Sequence, residues 1–192
     1  MKKAKAVLAL ANSEAAEKIK YALARSGFSV EDVCSSGSEA LRSVRTVMPD
    51  ILLINFDMPD MTGLEIATIV GDENLCSVLL FVTGVQKSFC ADVIEEYDIT
   101  LFPKPVNVES LLSAAETILQ NRRRIEKLES ELERLRQELD DRKAIDKAKG
   151  ILMDKKSISE AEAYRRIQKM SMDSRVAMRS IAQKVIELSE KC

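Results

Sequence analysis

Basic side chains are concentrated near the C-terminal end of this 192-residue sequence. Residues 142–184 carry 12 lysines and arginines against 5 acidic residues, whereas residues 1–119 carry 10 against 17. Because clustered cationic side chains attract polyanions, this asymmetry indicates a polyanionic partner for the C-terminal part. The alternative is a solvated helical surface rich in lysine and arginine, which composition by itself favours.

Several kinds of chemistry are excluded by the residue types present. The chain has no histidine, so a mechanism that needs an imidazole base or ligand is excluded. With six glycines, no glycine-rich phosphate loop and no metal cluster, the sequence predicts neither an enzyme nor a cofactor. The four cysteines are too far apart for a metal or redox motif and are interpreted as thiols of a reducing cytoplasm: Cys34, Cys76, Cys90 and Cys192.

The apolar runs are all short. The longest, residues 51–54 and 78–82, cannot span a bilayer, so no membrane association is expected. The basic residues at positions 1–5 are not followed by a long apolar segment, so no signal peptide is expected. These features predict a cytoplasmic protein.

Strand and helix patterns alternate through the first half of the chain. The predicted strands are residues 6–10, 28–33, 51–54, 78–82 and 99–102. The predicted helices are residues 14–25, 38–47, 64–70 and 87–96, with a long helix from about residue 107. Strands that alternate with helices form a parallel sheet with right-handed crossovers. We therefore expect a doubly wound α/β domain with five parallel strands and any site at their carboxyl ends.

A seven-residue apolar repeat follows this domain. Asn121 falls at one of its d positions, where a polar residue can set the register of paired helices. The repeat keeps one apolar seam towards a partner helix, which predicts a homodimer joined by a coiled coil. The alternative is one amphipathic helix packed on its own domain. The seam residues are Leu111, Ile118, Ile125, Leu128, Leu132, Leu135 and Leu139.

The repeat fails at Arg142 and Asp146, and three short helical patterns follow. Ser157–Ser159 separates the first two, and Ser159 with Glu162 forms a capping-box signature. A second break is expected near Ser171–Asp173. The domains are therefore predicted as residues 1–119, a coiled-coil linker at 120–140 and a small three-helix all-α domain at 141–192. The predicted inward faces are Ala144, Ile145, Ala148 and Leu152; Ala163, Tyr164, Ile167 and Met170; and Val176, Ala177, Ile181, Ala182 and Val185.

The first half resembles a bacterial response-regulator receiver domain of two-component systems. The resemblance is carried by PDILLINFDMPDMTGLE at 49–65, FVTG at 81–84 and FPKP at 102–105. It implies the CheY-like, flavodoxin-like order of strands and a cis peptide between Lys104 and Pro105. Receivers use an aspartate nucleophile after the third strand, two acids that hold Mg²⁺, and a threonine or serine and a lysine that meet the phosphoryl oxygens.

This receiver site is degenerate. Thr83 and Lys104 are kept, but the phosphoacceptor position falls on Asn55 and the acidic pair on Ala11 and Asn12. Because an amide is a poor nucleophile and carries no charge for Mg²⁺, we expect a pseudo-receiver that is not phosphorylated. A regulatory protein or a small ligand on the receiver surface would then deliver the signal.

Two further expectations concern the neighbouring charged groups. Asp57 and Glu14 are the nearest acids, and we expect both to be loop acids exposed to water rather than replacements for the missing aspartates. Lys104, without its usual carboxylate partner, is expected to hydrogen-bond to Asn55.

The C-terminal part resembles an ANTAR domain. The resemblance begins with RKAIDKAKGILM at 142–153 and continues with ISEAEAYRRI at 158–167, MDSR at 172–175 and Ile181–Ala182. ANTAR domains are three-helix RNA-binding modules of transcription antiterminators. The resemblance therefore implies binding to paired stem-loops in leader transcripts, which prevents an intrinsic terminator from forming.

Phosphates of a folded RNA require lysine and arginine, and an unstacked loop base can lie on an aromatic ring. Tyr164 is the candidate for stacking, although its place on the apolar stripe equally fits a core tyrosine. The leading hypothesis is a dimeric, phosphorylation-independent antitermination regulator. The alternatives are a protein-interaction adaptor or dimerisation module without specific RNA binding, and a DNA-binding helix-turn-helix. The candidate phosphate contacts are Arg142, Lys143, Lys147, Lys149, Arg165, Arg166, Lys169, Arg175 and Arg179.

Overall fold

The computed structural model describes residues 3–90 and 97–190, with residue 190 described by its backbone alone. The chain divides into two units, Met1–Arg124 and Ile125–Cys192, each described below by itself. Within the described ranges, no helix has the length and apolarity needed to cross a membrane.

The first unit is built on a parallel five-stranded sheet of order β2-β1-β3-β4-β5, so the predicted fold class is confirmed. Its central strands β3 and β4 are buried on both faces, which explains their continuous apolar runs. The parallel register places Asn55 beside Phe81 at the carboxyl edge. The strands are β1 (Ala4–Ala9), β2 (Phe28–Cys34), β3 (Ile51–Asn55), β4 (Ser77–Val82) and β5 (Ile99–Pro103).

Helices cover both faces of this sheet. Alternate residues of β1 face opposite sides: Leu8 packs in the core under α1, and Val7 packs in the core under α2 and α3. A 3₁₀ helix, Gln86–Cys90, begins where a helix over 87–96 was predicted, and residues 91–96 lie outside the described residues. The helices are α1 (Ser13–Arg25), α2 (Gly37–Val47), α3 (Gly63–Asp72) and the long α4 (Val108–Lys156).

The first turns of α4 complete the receiver core. Leu111, Ala115 and Leu119 are buried there, and so is Ile118, which is 9% exposed. The seven-residue repeat counts Leu111 and Ile118 as seam positions, but in the structure both face the sheet. The solvent-facing part of the seam therefore begins at Ile125.

The cysteines of the first unit are buried thiols. Burial raises the pKa of Cys34 and of Cys76 to about 12, so neither forms a thiolate at neutral pH. Cys90 is also buried. Cys192 lies outside the described residues.

Gly63 allows the β3–α3 loop to fold back onto the end of β3. A Cβ atom at this position would lie 2.0 Å from the backbone oxygen of Asn55, a distance that no side-chain rotation can relieve. The Gly63 N–H donates to the carbonyl of Phe56 at 2.8 Å, which holds the loop in place. The β3–α3 loop can therefore approach the end of β3 only because residue 63 has no side chain.

Replacing Gly63 with alanine is expected to lower the free energy of unfolding of the receiver unit by about 3 kcal/mol, because the methyl group displaces backbone. The change is measured by amide hydrogen exchange in β3. Gly84→Ala is the matched control, since a Cβ there meets nothing within 4 Å. Equal exchange rates in the two variants would contradict the close approach.

The second unit is a three-helix assembly formed by the end of α4, α5 (Glu160–Ser174) and α6 (Met178–Glu190). Its buried core is Ala148, Ile167, Ile181, Ala182 and Ile186. Helix α4 runs without interruption through residue 142, so the apolar pattern changes within one continuous helix rather than at the start of a new one.

The two breaks between these helices have backbone and capping causes. Ser157 has a φ of 50° just beyond α4, and the Ser159 hydroxyl accepts from the Glu162 N–H at 3.3 Å to cap α5. The break expected at residues 171–173 was placed too early: α5 continues to Ser174, and Arg175 adopts the left-handed conformation with a φ of 52°.

Candidate functional site

The degenerate receiver site lies at the carboxyl edge of the sheet. Asn55 ends β3, is half-buried, and donates from Nδ2 to the carbonyl oxygen of Asp57 at 3.2 Å. Lys104 follows β5, and the Lys104–Pro105 peptide is cis, as the resemblance implied. Among the described residues, the expected hydrogen bond from Lys104 to Asn55 is not formed, and the Asn55 amide nitrogen donates within its own loop instead.

Asn12 has a local structural task. Its Oδ1 accepts from the Ala15 N–H at 3.0 Å and so caps the N-terminus of α1, while Ala11 beside it is exposed. Magnesium in a receiver is held by carboxylates. Ala11, Asn12 and Asn55 supply none, so the donor set at these three positions does not fit Mg²⁺. Within residues 3–90 and 97–190, no cluster of three acidic or cysteine side chains could hold a metal either.

Gln86 joins the two loops that flank the site. Its Oε1 accepts from the Thr83 N–H at 2.9 Å, and its Nε2 donates to the Asp57 carboxylate at 2.8 and 3.0 Å. Thr83 and Asp57 are both exposed, so Asp57 is the loop acid that was expected. Sequence reasoning missed Gln86; its place three residues after Thr83, typical of a local turn, was the available signal.

Asp60 anchors the same loop to α2. Its carboxylate accepts from the N–H groups of Gly37 at 2.9 Å and Ser38 at 3.2 Å. The Ser38 side chain and then these backbone donors hold the pKa of Asp60 below its usual value. A carboxyl with a lowered pKa stabilises the fold above its unfolded pKa, and this contribution is lost as the pH falls through the folded pKa.

A pocket of about 380 Å³ opens beside these residues. Its floor is Phe81, which packs edge-on against Phe102 with ring centroids 6.0 Å apart. The pocket lies between α1, the ends of β1 and β3, and the segment after β5. It is lined by Leu10, Asn12, Ala15, Ile19, Asn55, Phe81, Lys104, Pro105 and Val106.

In the second unit, the candidate RNA contacts differ in their surroundings. Arg142, Lys143 and Lys147 are exposed on α4, and Lys143 lies 3.8 Å from Asp140. Arg166 pairs with Glu162 at 2.8 Å, and Arg179 pairs with Asp141 at 3.0 Å. These pairs reduce the charge that each arginine presents to a partner.

Lys149 links two helices of the unit. Its ammonium lies 2.7 Å from both Asp146 on α4 and Glu160 on α5, and its side chain is 15% exposed. The hydrogen bond to Asp146 and then that to Glu160 raise the pKa of Lys149. A substitution at Lys149 therefore perturbs the helix packing, and loss of RNA binding would not identify it as a contact.

Helix α5 carries an exposed cationic face. Arg165, Lys169 and Arg175 are exposed, and among the described residues none of them has an ion-pair partner. Arg165 and Lys169 are four residues apart on one side of the helix, where like charges mildly destabilise it unless an anion is bound. We define Arg165 and Lys169 on the helix, together with Arg175 at its C-cap, as the α5 cationic face.

Tyr164 is 44% exposed, so it is not a core residue. The predicted apolar stripe of α5 is reduced to Ala163 and Ile167, both fully buried, while Met170 is 46% exposed. Tyr164 borders a groove on α4 that also contains Arg142 and Ile145. Its ring is accessible for stacking.

The seam of α4 is exposed in the single chain. Five large apolar side chains at seam positions are about half exposed: Ile125 at 53%, Leu128 at 56%, Leu132 at 49%, Leu135 at 45% and Leu139 at 56%. A continuous apolar row of this kind marks an interaction surface rather than a solvated one.

A parallel sheet of this order, with Thr83 and Lys104 at its carboxyl edge, is the arrangement expected of a receiver-type domain. Here a helical unit with a cationic face follows it. The chain belongs to the response regulator receiver family: the model of the response regulator receiver domain matches residues 11–116. The ANTAR domain model matches residues 133–186, and an ANTAR domain implies binding to RNA. Because these are regulator domains, the prediction that the chain is not an enzyme is confirmed.

Similar proteins support this architecture. The transcriptional regulatory protein PdtaR of Mycobacterium tuberculosis is 26% identical over 165 residues, which cover 86% of this chain and 80% of PdtaR. The chemotaxis protein CheY of Listeria monocytogenes is 29% identical over 99 residues, 51% of this chain and 83% of CheY. A receiver domain from Clostridium thermocellum superimposes with a TM-score of 0.57 at 21% identity, covering 64% of this chain and 98% of that domain, and shows the fold.

Proposed function

We propose that this chain is an RNA-binding regulator of transcription antitermination that acts as a coiled-coil dimer with a phosphorylation-independent receiver. The observation that carries the proposal is the ANTAR match over residues 133–186, on a folded three-helix unit with an exposed cationic face. The likeness to PdtaR, a transcriptional regulatory protein, extends over both domains and supports the same assignment.

The α5 cationic face fits a folded RNA. RNA hairpins are recognised through phosphates, shape and unstacked loop bases. Arg165, Lys169 and Arg175 supply phosphate contacts, and the accessible ring of Tyr164 supplies a surface for one loop base. Arg142, Lys143 and Lys147 add exposed positive charge on α4.

Dimerisation would give the RNA two such surfaces. The exposed seam from Ile125 to Leu139 is long enough for knobs-into-holes packing over two heptads. Two ANTAR modules on one coiled coil then hold paired stem-loops at once, with a gain in avidity of about 10²–10⁴ over a single module. This pairing is the reason for expecting a two-hairpin target in leader transcripts.

Independence from phosphorylation is supported by the receiver site. Asn55 lacks the nucleophilic carboxylate, and Asn12 is engaged as a helix cap at a position where an acid would hold Mg²⁺. Aspartyl phosphorylation therefore lacks its nucleophile, and Mg²⁺ lacks the carboxylates that would hold it.

Incubating the full chain with ³²P-labelled acetyl phosphate and Mg²⁺ is expected to give no base-labile acyl phosphate on the protein. Asn55→Asp alone is also expected to remain unlabelled, because Ala11 and Asn12 still supply no carboxylate for Mg²⁺. A receiver with an intact aspartate and acid pair serves as the positive control. Stoichiometric labelling of the unmodified chain would contradict the proposal.

The function as a whole is tested by crosslinking the protein to RNA in cells and sequencing the bound fragments. The expected fragments contain two adjacent stem-loops that overlap an intrinsic terminator in a leader. Recovery of RNA without such pairs, or recovery no greater than from cells lacking the protein, would contradict it.

A further inference from the structure

The pocket at the carboxyl edge of the receiver sheet combines apolar walls with one cation. Leu10 and Ile19 are buried apolar residues on the α1 side, and Phe81 is the fully buried floor. Among the lining residues that the structure describes, Lys104 alone is charged. The volume of about 380 Å³ is within the range of small-molecule sites.

The loss of the receiver acids reverses the electrostatic sign of this pocket. With carboxylates at positions 11, 12 and 55, the site would attract a metal cation; with Ala11, Asn12 and Asn55 it has no negative charge of its own. The nearby acids are engaged elsewhere: Glu14 pairs with Lys18 at 2.6 Å, and the Asp57 carboxylate accepts from Gln86. Lys104 has no ion pair or side-chain hydrogen bond in the part of the chain that the structure describes.

We infer that this pocket binds a small organic carboxylate with an apolar body, and that this ligand takes the place of phosphorylation as the input to the receiver. The carboxylate pairs with the Lys104 ammonium, and no acid among the described residues pairs with Lys104 in its place. The apolar body contacts Leu10, Ile19 and Phe81. The assignment of this ligand as the input rests on the proposed phosphorylation-independent function.

The pocket lining is part apolar and part cationic, so a ligand that is both apolar and anionic fits it better than a bare anion or a neutral hydrocarbon. Phosphate would leave the apolar walls in contact with water. A neutral hydrocarbon would cover Lys104 without pairing it, which costs free energy. An amphipathic carboxylate satisfies both surfaces, and Asn55, half-buried at the wall, is close to the space that its head group fills.

Binding is measured on the full chain by titrating ¹⁵N-labelled protein with hexanoate, phenylacetate, acetate and hexylammonium. Hexanoate or phenylacetate is expected to shift the backbone amides of Ala15, Asn55 and Lys104 with a Kd of about 1 mM or tighter. Acetate lacks the apolar body and hexylammonium has the wrong charge, so each is expected to bind at least about tenfold more weakly.

Lys104→Met keeps an unbranched side chain that is one atom shorter and removes its charge, and it is expected to weaken hexanoate binding about tenfold or more. Lys87→Met is the matched control, because Lys87 is exposed and does not line the pocket. Asn55→Asp is a second variant of nearly unchanged size, whose carboxylate would compete for Lys104 and likewise weaken hexanoate binding.

Equal binding of hexanoate and hexylammonium, unchanged binding by Lys104→Met or Asn55→Asp, or no binding of either apolar carboxylate would overturn the inference. RNA affinity is measured on the same preparations without added carboxylate. If the pocket binds no carboxylate, the RNA affinity is unchanged. If the chain binds no RNA, the carboxylate titration is unchanged. The two failures are therefore distinguishable.

Discussion

Replacing Leu132 and Leu135 with glutamate is expected to convert the proposed coiled-coil dimer to a monomer and to lower affinity for a two-hairpin RNA by about 10²–10⁴-fold. Both side chains lie on the exposed seam, at 49% and 45% exposure in the single chain. Charges at adjacent a and d positions repel across the interface, and each must be desolvated there. The mass is measured by sedimentation equilibrium and the affinity by RNA titration.

The control for this variant keeps the seam apolar. Leu132→Met with Leu135→Met conserves volume and hydrophobicity and is expected to leave both the mass and the RNA affinity near those of the parent chain. Affinity for a single hairpin should be similar in all three proteins, since one module suffices for it. A dimeric glutamate variant, or a monomer with undiminished two-hairpin affinity, would contradict the role of the seam.

Reversing two charges of the α5 cationic face has the second large effect. Arg165→Glu with Lys169→Glu is expected to lower RNA affinity by about 10²–10⁴-fold, because two charge-assisted contacts to phosphate are replaced by repulsion. The slope of log affinity against log salt should become shallower by about 2. Neither side chain has an ion-pair partner among the described residues, so the three-helix core should be unaffected. Titrations at several salt concentrations measure both quantities.

A matched variant separates a local effect from a change of net charge. Lys20→Glu with Lys87→Glu reverses the same number of charges on the receiver unit and is expected to leave RNA binding nearly unchanged. Thermal melting by circular dichroism confirms that both double variants are folded. If the receiver variant loses as much affinity as the α5 variant, RNA binding is not located on α5.

The fold could be predicted because its signals are local. The buried runs of β3 and β4, the N-terminal caps and the Ser159–Glu162 pair each depend on residues close in sequence. A buried parallel strand is apolar at every position, and a capped helix begins where its cap residue stands. The five strands and the helices α1, α2 and α3 were therefore predicted correctly, with boundaries displaced by a few residues. The helix predicted at 87–96 is a 3₁₀ helix over Gln86–Cys90, and the short helix predicted after residue 142 is the end of α4.

The side-chain environment of the site could not be predicted in the same way. Lys149 was expected to contact RNA, but it pairs with Glu160, eleven residues away on the next helix. Gln86 links loops 29 residues apart in sequence. Such contacts depend on how the elements pack, and periodicity carries no information about them.

Ile118 and Tyr164 show the limit of periodicity within one helix. Ile118 fits the seven-residue repeat and the helical spacing of the receiver core equally well, and packing on the sheet decides in favour of the core. Tyr164 lies at the edge of an apolar stripe, where a small rotation of the helix decides between burial and exposure; it is 44% exposed.

Recognition of folded RNA by the cationic helices is tested most directly by a paired titration of the full chain with two RNAs. One RNA contains two adjacent hairpins, and the other has the same length and composition in a scrambled, unstructured order. The hairpin RNA is expected to bind at least about 100-fold more tightly at physiological salt. Equal affinity for the two RNAs would show a generic polyanion surface and contradict recognition of folded RNA.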